Sequence, residues 1–373
     1  MVIVEPMDPF AVAVPMTAQD GSGLKYSVDV YPKNELVIPD IKKDVISIEN
    51  NEASVNAGEE FTWIVRGDIP ADIAAAKKYE ITDTLDSALT YAGDMAVKVE
   101  AVNAAADNSV SSDDAVYENV LLEKTDYTLV VADQTWTVTL TKAGLAKVVG
   151  RVGEKTADYE LRVYFNTIVD GDAEMGEKIP NQATLKYTNS ANFKFEVESD
   201  IPEVYTCGIS LEKYDAKDNR MKLNGAEFML ARLATEEEIA DEDVKTEKLV
   251  IAKGTPAEVV YVDFYTDANM SKDQVTTVTT DAEGKALIYG LEAGEYYLVE
   301  TKAPAGYNLL SYPIKVTLDA ESHASVVGVA NSNTFELPST GGIGTTIFTL
   351  AGAALTLGSG AVLAGKKKKE DEE

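Results

Sequence analysis

Apolar side chains return at every second position through much of this 373-residue chain, which is the spacing of strands that bury one face. Phe61, Trp63 and Val65 alternate in this way, as do Trp136, Val138 and Leu140. Tyr159, Leu161, Val163 and Phe165 form another such run, and Tyr296 and Leu298 belong to a later one. Helical spacing is confined to two short stretches, 141–149 and 235 to about 245, the second opened by the capping-box sequence Thr235-Glu236-Glu237-Glu238. Many strands and few helices predict an all-β chain of tandem immunoglobulin-like β-sandwiches. The expected division is a short piece at 1–36, one sandwich at 37–203 closed near Pro202, a second at 204–334, and a separate tail at 335–373.

Some strand faces carry a polar residue where an apolar one is expected. In the first sandwich Lys43 shares a face with Ile41 and Val45, Asp83 with Ile81 and Leu85, and Asn181 with Ala183, Leu185 and Tyr187. In the second, Lys213 follows Ile209 and Leu211, Glu300 follows Tyr296 and Leu298, and Asn331 follows Val327 and Val329. Each sandwich thus holds one Lys, one acid and one Asn, with the Lys early and the Asn last. Burial drives an amine and a carboxyl toward their neutral forms. A neutral amine is a nucleophile, and a protonated carboxyl can donate to an amide carbonyl and polarise it. Each set therefore contains the parts for an intramolecular amide bond, with the Lys attacking the Asn side chain and ammonia leaving.

Charge and composition exclude several classes. Thirty-three Lys and Arg against 63 Asp and Glu give a net charge of −30, so nucleic acid and anionic lipid are repelled. A single cysteine, Cys207, allows no internal disulfide. A single histidine, His323, leaves little room for a zinc site or a His-based triad, so no metal and no cofactor is expected. Residues 1–18 contain Glu5 and Asp8 but no Lys or Arg, unlike a secretory leader. The other end reads Leu337-Pro338-Ser339-Thr340-Gly341-Gly342, then 22 uncharged residues from Ile343 to Ala364, then four lysines from Lys366 to Lys369 and an acidic tail. As a helix the uncharged stretch is ~33 Å long, enough to cross a bilayer core. The lysines mark its cytoplasmic end. Such an end belongs on an exported chain, so the natural sequence is expected to begin upstream of Met1.

The C-terminal pattern resembles the LPxTG sorting signal of Gram-positive sortase substrates. Leu337, Pro338, Thr340 and Gly341 occupy its motif positions, and the resemblance implies cleavage between Thr340 and Gly341 with transfer of the Thr340 carbonyl to an amine. Residues Tyr296-Tyr297-Leu298-Val299-Glu300-Thr301-Lys302-Ala303-Pro304-Ala305-Gly306-Tyr307 resemble the E-box of Gram-positive pilins, and with Leu223-Asn224-Gly225-Ala226-Glu227-Phe228 they resemble a Cna-B-type domain. The resemblance implies a Lys213–Asn331 isopeptide assisted by Glu300, with Asn333 as the alternative to Asn331 and Glu227 structural. The earlier sandwich is similar to the pilin middle domain through Ile81-Thr82-Asp83-Thr84-Leu85 and Asn181-Gln182-Ala183-Thr184-Leu185. It implies a Lys43–Asn181 bond assisted by Asp83, with Lys42 as the alternative to Lys43. Residues Tyr26 to Asn34 resemble the pilin motif that supplies an acceptor Lys, here Lys33, although Leu24 stands where the family has Trp. Phe10 to Thr17 resembles the last strands of a pilin N-terminal domain.

Together these resemblances imply a structural protein and no enzyme: the shaft subunit of a covalent, wall-anchored pilus in which a sortase joins Thr340 of one subunit to Lys33 of the next. The implied partners are pilus-type (class C) and wall-anchoring sortases, identical subunits head to tail, minor and tip pilins, peptidoglycan and a host surface ligand, with no nucleic acid. The alternative is an LPxTG-anchored adhesin or basal pilin that is never polymerised.

Overall fold

The computed structural model describes residues 16–17, 22–25, 38–106, 120–121, 123–169, 173–240, 249–250, 258–267 and 273–333. The acceptor candidate Lys33, the sorting residues Leu337, Pro338, Thr340 and Gly341, and the uncharged stretch 343–364 lie outside them. Among the described residues no helix is long and apolar enough to cross a membrane.

The alternating runs form sandwiches. One sheet of the first sandwich runs Ile41–Val45, Glu60–Asp68, Tyr159–Val169, Leu89–Ala101 and Val120–Leu121 in spatial order. The facing sheet runs Lys194–Glu198, Gln182–Thr188, Lys78–Thr84, Thr135–Leu140 and Tyr127–Ala132. Every neighbour within these two sheets is antiparallel. Trp63, Val65, Val163 and Phe165 from one sheet meet Ile81, Trp136, Val138 and Leu185 from the other in a single core. The helix Lys142–Val152 runs a little past the predicted stretch. Its first turn is capped by Thr141, whose Oγ1 accepts from Gly144 N at 3.1 Å. Leu145, Val148 and Val152 give it one buried face.

In the second sandwich a three-stranded sheet places Cys207–Asp215 between Lys285–Leu291 and Ala324–Asn331. Its first and last strands therefore lie side by side, and they run parallel. The facing sheet is built on Glu227–Leu233, Gly294–Lys302 and Ile314–Leu318, extended by Val259–Val262 and Leu249–Val250. Ile209, Leu211, Phe228, Leu230, Leu298 and Val329 fill the core between them. The predicted capping box is formed: Thr235 N donates to Glu238 at 2.9 Å and Glu238 N to Thr235 at 3.2 Å. The helix it opens is Glu236–Ala240, and residues 241–248 lie outside the described set. At the junction Glu203–Tyr205 runs parallel to Glu52–Ser54, Ala57 N donates to Gly290 O at 2.9 Å, and Tyr289 packs into the core of the first sandwich.

Alternation puts Arg162 and Tyr164 on the outer face of their sheet, where solvent is expected. They lie on that face but are fully buried, because residues 101–105 fold over them. Arg162 donates to Glu160 at 2.6 Å, to Glu100 at 3.1 Å and to the carbonyls of Ala101, Ala104 and Ala105. Removing one member of a buried ion network strands the others. Arg162→Ala should therefore destabilise the chain by about 3–5 kcal/mol, read as a lower urea midpoint. A change below ~1 kcal/mol would mean the network carries no net stability.

Candidate functional site

Each sandwich gathers its Lys, acid and Asn in the core, by different routes. Lys43 projects from the middle of Ile41–Val45 and is completely buried, whereas Lys42 beside it is exposed. Its Nζ lies 5.0 Å from the centre of the Trp63 ring and 5.4 Å from that of Phe165, and it donates to Asp83 Oδ2 across the gap between the sheets. Asp83 stands in Lys78–Thr84 directly between Trp136 and Ala183. Asn181 precedes Ala183 by two residues, and its main-chain N–H donates to Pro202 O at 3.0 Å. Among the described residues, both polar atoms of its buried side chain lack a hydrogen-bond partner, as does Asp83 Oδ1. An unpaired buried amide is costly to keep in a core, and such groups need a reason other than packing.

In the second sandwich Lys213 and Asn331 occupy neighbouring parallel strands of one sheet, with Asp215 directly opposite Asn331. Lys213 Nζ donates to Asn331 Oδ1 at 2.6 Å and to Val329 O at 3.1 Å. Glu300 comes from the facing sheet. Its two carboxyl oxygens accept from Asn331 Nδ2 at 2.9 and 3.0 Å, and Leu310 N donates to one of them at 2.8 Å. Asn331 Nδ2 also meets Asn308 O at 2.9 Å. The sequence predicts an acid that polarises the amide carbonyl; the acid instead holds the amide nitrogen, the atom that would leave, and the amine sits at the carbonyl. Asn333 is exposed and accepts from Lys217 at 3.3 Å. Glu227 pairs with Lys302 at the surface, 2.5 Å away.

Burial lowers the Lys43 amine to about 8, against the opposing pull of Asp83. It lowers Lys213 to about 8 as well, against Glu300. Burial raises the Asp83 carboxyl, with the Lys43 charge resisting. Both members of the first pair are thus pushed toward their neutral forms. A folded amine near 8, against 10.5 when free, means that between those values the unfolded chain binds more protons. Stability then rises with pH. In chains carrying Asn181→Ala and Asn331→Ala, where the amines stay free, urea unfolding should show a gain of ~1–3 kcal/mol from pH 8 to pH 10. A flat or falling profile would mean the amines are not desolvated.

The aromatic rings around Lys43 and the main-chain groups of Asn308 and Leu310 were not expected from the sequence. Trp63 and Phe165 stand in alternating runs that mark only core residues. A loop carbonyl leaves no mark in the residue that carries it.

Comparison with known proteins agrees with this architecture. Residues 207–333 match the SpaA family, described as a prealbumin-like fold domain, and residues 330–372 match the LPXTG cell wall anchor motif. The fimbrial subunit type 1 of Actinomyces viscosus is 29% identical across 98% of this chain and 70% of its own length. The C-terminal fragment of the major pilin GBS80 of Streptococcus agalactiae superposes with a TM-score of 0.56 at 21% identity, covering 79% of this chain and all of that fragment. The full-length major pilin SpaD of Corynebacterium diphtheriae gives a TM-score of 0.53 at 20% identity over 87% of this chain and 74% of that one. A SpaA-type prealbumin-like domain with its buried Lys, Glu and Asn, an LPXTG anchor motif directly behind it and a sandwich fold shared with major pilins make this chain similar to the sortase-assembled major pilins of Gram-positive bacteria.

Proposed function

We propose that the chain is the shaft subunit of a covalently polymerised pilus anchored to the cell wall, and that each sandwich locks itself with an isopeptide bond, Lys43–Asn181 in the first and Lys213–Asn331 in the second. The observation that carries this reading is the repetition of one buried Lys–acid–Asn set in two sandwiches of different topology. In each reaction the neutral Lys Nζ attacks Cγ of the Asn side chain. The acid takes a proton from the attacking nitrogen and delivers one to the departing Nδ2, the C–N bond breaks and ammonia leaves. The products are one secondary amide and one ammonia, so atoms and charge balance, and no cofactor takes part. Asp83 and Glu300 turn over once, on their own chain, which makes the protein a structural element and not an enzyme. A pilus-type, class C sortase would join Thr340 to Lys33 of the next subunit, and a wall-anchoring sortase would pass the finished fibre to peptidoglycan. Minor and tip pilins and a host surface ligand complete the expected partners.

Intact-mass measurement of the purified chain tests the internal bonds. Wild type should weigh less than its sequence by two ammonia molecules, Asn181→Ala and Asn331→Ala each by one, and the double variant by none. Full sequence mass in wild type would sink the proposal. A tryptic peptide joining Lys42 or Asn333 would move the bond to the neighbouring residue.

A further inference from the structure

Bond formation in the second sandwich needs the Asn331 amide turned one way, with Nδ2 toward Glu300 and the carbonyl toward Lys213. Turned over, it would present its carbonyl to the acid and its nitrogen to the amine. Two main-chain groups of the segment after Pro304 decide between these. Asn308 O accepts from Asn331 Nδ2 at 2.9 Å, and a carbonyl can accept only from the nitrogen end of an amide. Leu310 N donates to Glu300 at 2.8 Å and fixes the acid. Asn308 N donates to Ser332 O at 2.9 Å, which ties the segment to the end of the Asn331 strand, and Tyr307 Oη donates to Asp215 Oδ2 at 2.8 Å, which ties it to the Lys213 strand. Asp215 is itself held, because its other oxygen accepts from Lys217 N at 2.7 Å and Asp218 N at 3.1 Å. It lies two residues beyond Lys213 and directly opposite Asn331.

We infer that the Tyr307–Asp215 hydrogen bond is a latch that sets the Asn308 carbonyl and the Leu310 N–H on the reacting groups, making Tyr307 and Asp215 positioning residues for the Lys213–Asn331 bond. This inference rests on the cross-linking proposed above. Neither residue contacts the amine or the amide carbon in the hydrogen-bond network. Both act through the main chain, so the latch is visible only as a change in rate. Loss of the hydroxyl leaves the segment held to the Asn331 strand through Asn308 N but no longer to the Lys213 strand, so it can shift and the productive amide orientation is populated only part of the time.

The experiment follows both cross-links in one molecule. Full-length chain is made by cell-free synthesis, quenched at successive times and digested, and the Lys43–Asn181 and Lys213–Asn331 peptides are counted by mass spectrometry. Tyr307→Phe should slow the second bond about tenfold, the effect of one lost hydrogen bond, and leave the first unchanged. Asp215→Ala should slow it to the same degree. The double variant should be no slower than the slower single variant, since Tyr307→Phe removes nothing on the Asp215 side that Asp215→Ala has not already removed. In a Glu300→Gln background, where no second bond forms, Tyr307→Phe should leave the urea midpoint nearly unmoved. A wild-type rate in Tyr307→Phe, multiplying losses in the double variant, or slowing matched by general unfolding would each overturn the latch. Absence of the Lys213–Asn331 peptide from wild type would overturn the cross-linking reading itself and the latch with it.

Discussion

Pulled from its two ends, the wild-type chain should lengthen between Lys43 and Asn331 by no more than the stretch that the two proposed cross-links leave outside them. Tension entering at Lys43 crosses to Asn181 and, further on, passes from Lys213 to Asn331. Residues 44–180 and 214–330 carry none of it. Only residues 182–212 lie in the load path, 31 residues or about 100 Å of contour at ~3.4 Å each. The piece that yields is identifiable. Gln182–Thr188 and Lys194–Glu198 form a hairpin at a sheet edge, downstream of Asn181, held to the rest of the sheet by pairing with Lys78–Thr84. Force peels that hairpin away and then meets covalent bonds. Asp83→Ala combined with Glu300→Gln should instead release the whole interval, on the order of 1,000 Å at the same rise. Single-molecule extension of the two proteins distinguishes them; equal contour lengths would rule out the cross-links as load bearers. The same loops set thermal stability. Loops of 137 and 117 residues, counted from 44–180 and 214–330, are each worth about 5 kcal/mol in unfolded-chain entropy. Loss of either should lower the melting temperature by roughly 10–20 °C for a domain of this size.

Much of this arrangement is legible in the sequence because period-two spacing reports faces directly. A Lys flanked by Ile41 and Val45 two residues away on either side has to point where they point, and the same logic reaches Asp83, Asn181, Lys213, Glu300 and Asn331. Spacing also separates Lys43 from Lys42, which falls on the exposed face. Faces alone do not say which sheet a strand joins. That the first set spans two sheets while Lys213 and Asn331 share one depends on strand order, which long-range pairing decides. Amide orientation is likewise hidden, since it depends on where the main chain of Asn308 and Leu310 passes. Arg162 marks the limit of the face argument. Its position is outward, yet residues 101–105 cover it, and nothing in the alternation of its own strand signals a lid contributed by another segment.

In cells that carry a pilus-type sortase, the wild-type protein should appear as a ladder of high-mass species that survives boiling in detergent, and Lys33→Ala should collapse it to monomer. The reasoning runs from the two chain ends. Head-to-tail growth needs a donor and an acceptor on different surfaces, because a heterologous contact that does not close into a ring extends without limit. The donor is the LPXTG segment behind the second sandwich, matched over residues 330–372. The acceptor proposed is Lys33, ahead of the first sandwich in the chain and directly after Pro32, a residue with no N–H to donate to a strand ladder. Two sandwiches in series lie between these ends in the chain. Thr340→Ala should remove both the ladder and wall attachment, since no acyl intermediate with the sortase can form. Lys33→Ala should leave attachment of single subunits intact, because Thr340 still reaches the wall amine. The two variants therefore separate polymerisation from anchoring. A ladder that persists in Lys33→Ala would move the acceptor to another of the chain's lysines. No ladder in wild type, with anchoring intact, would make the protein a wall-anchored adhesin or basal pilin with the same self-locking sandwiches.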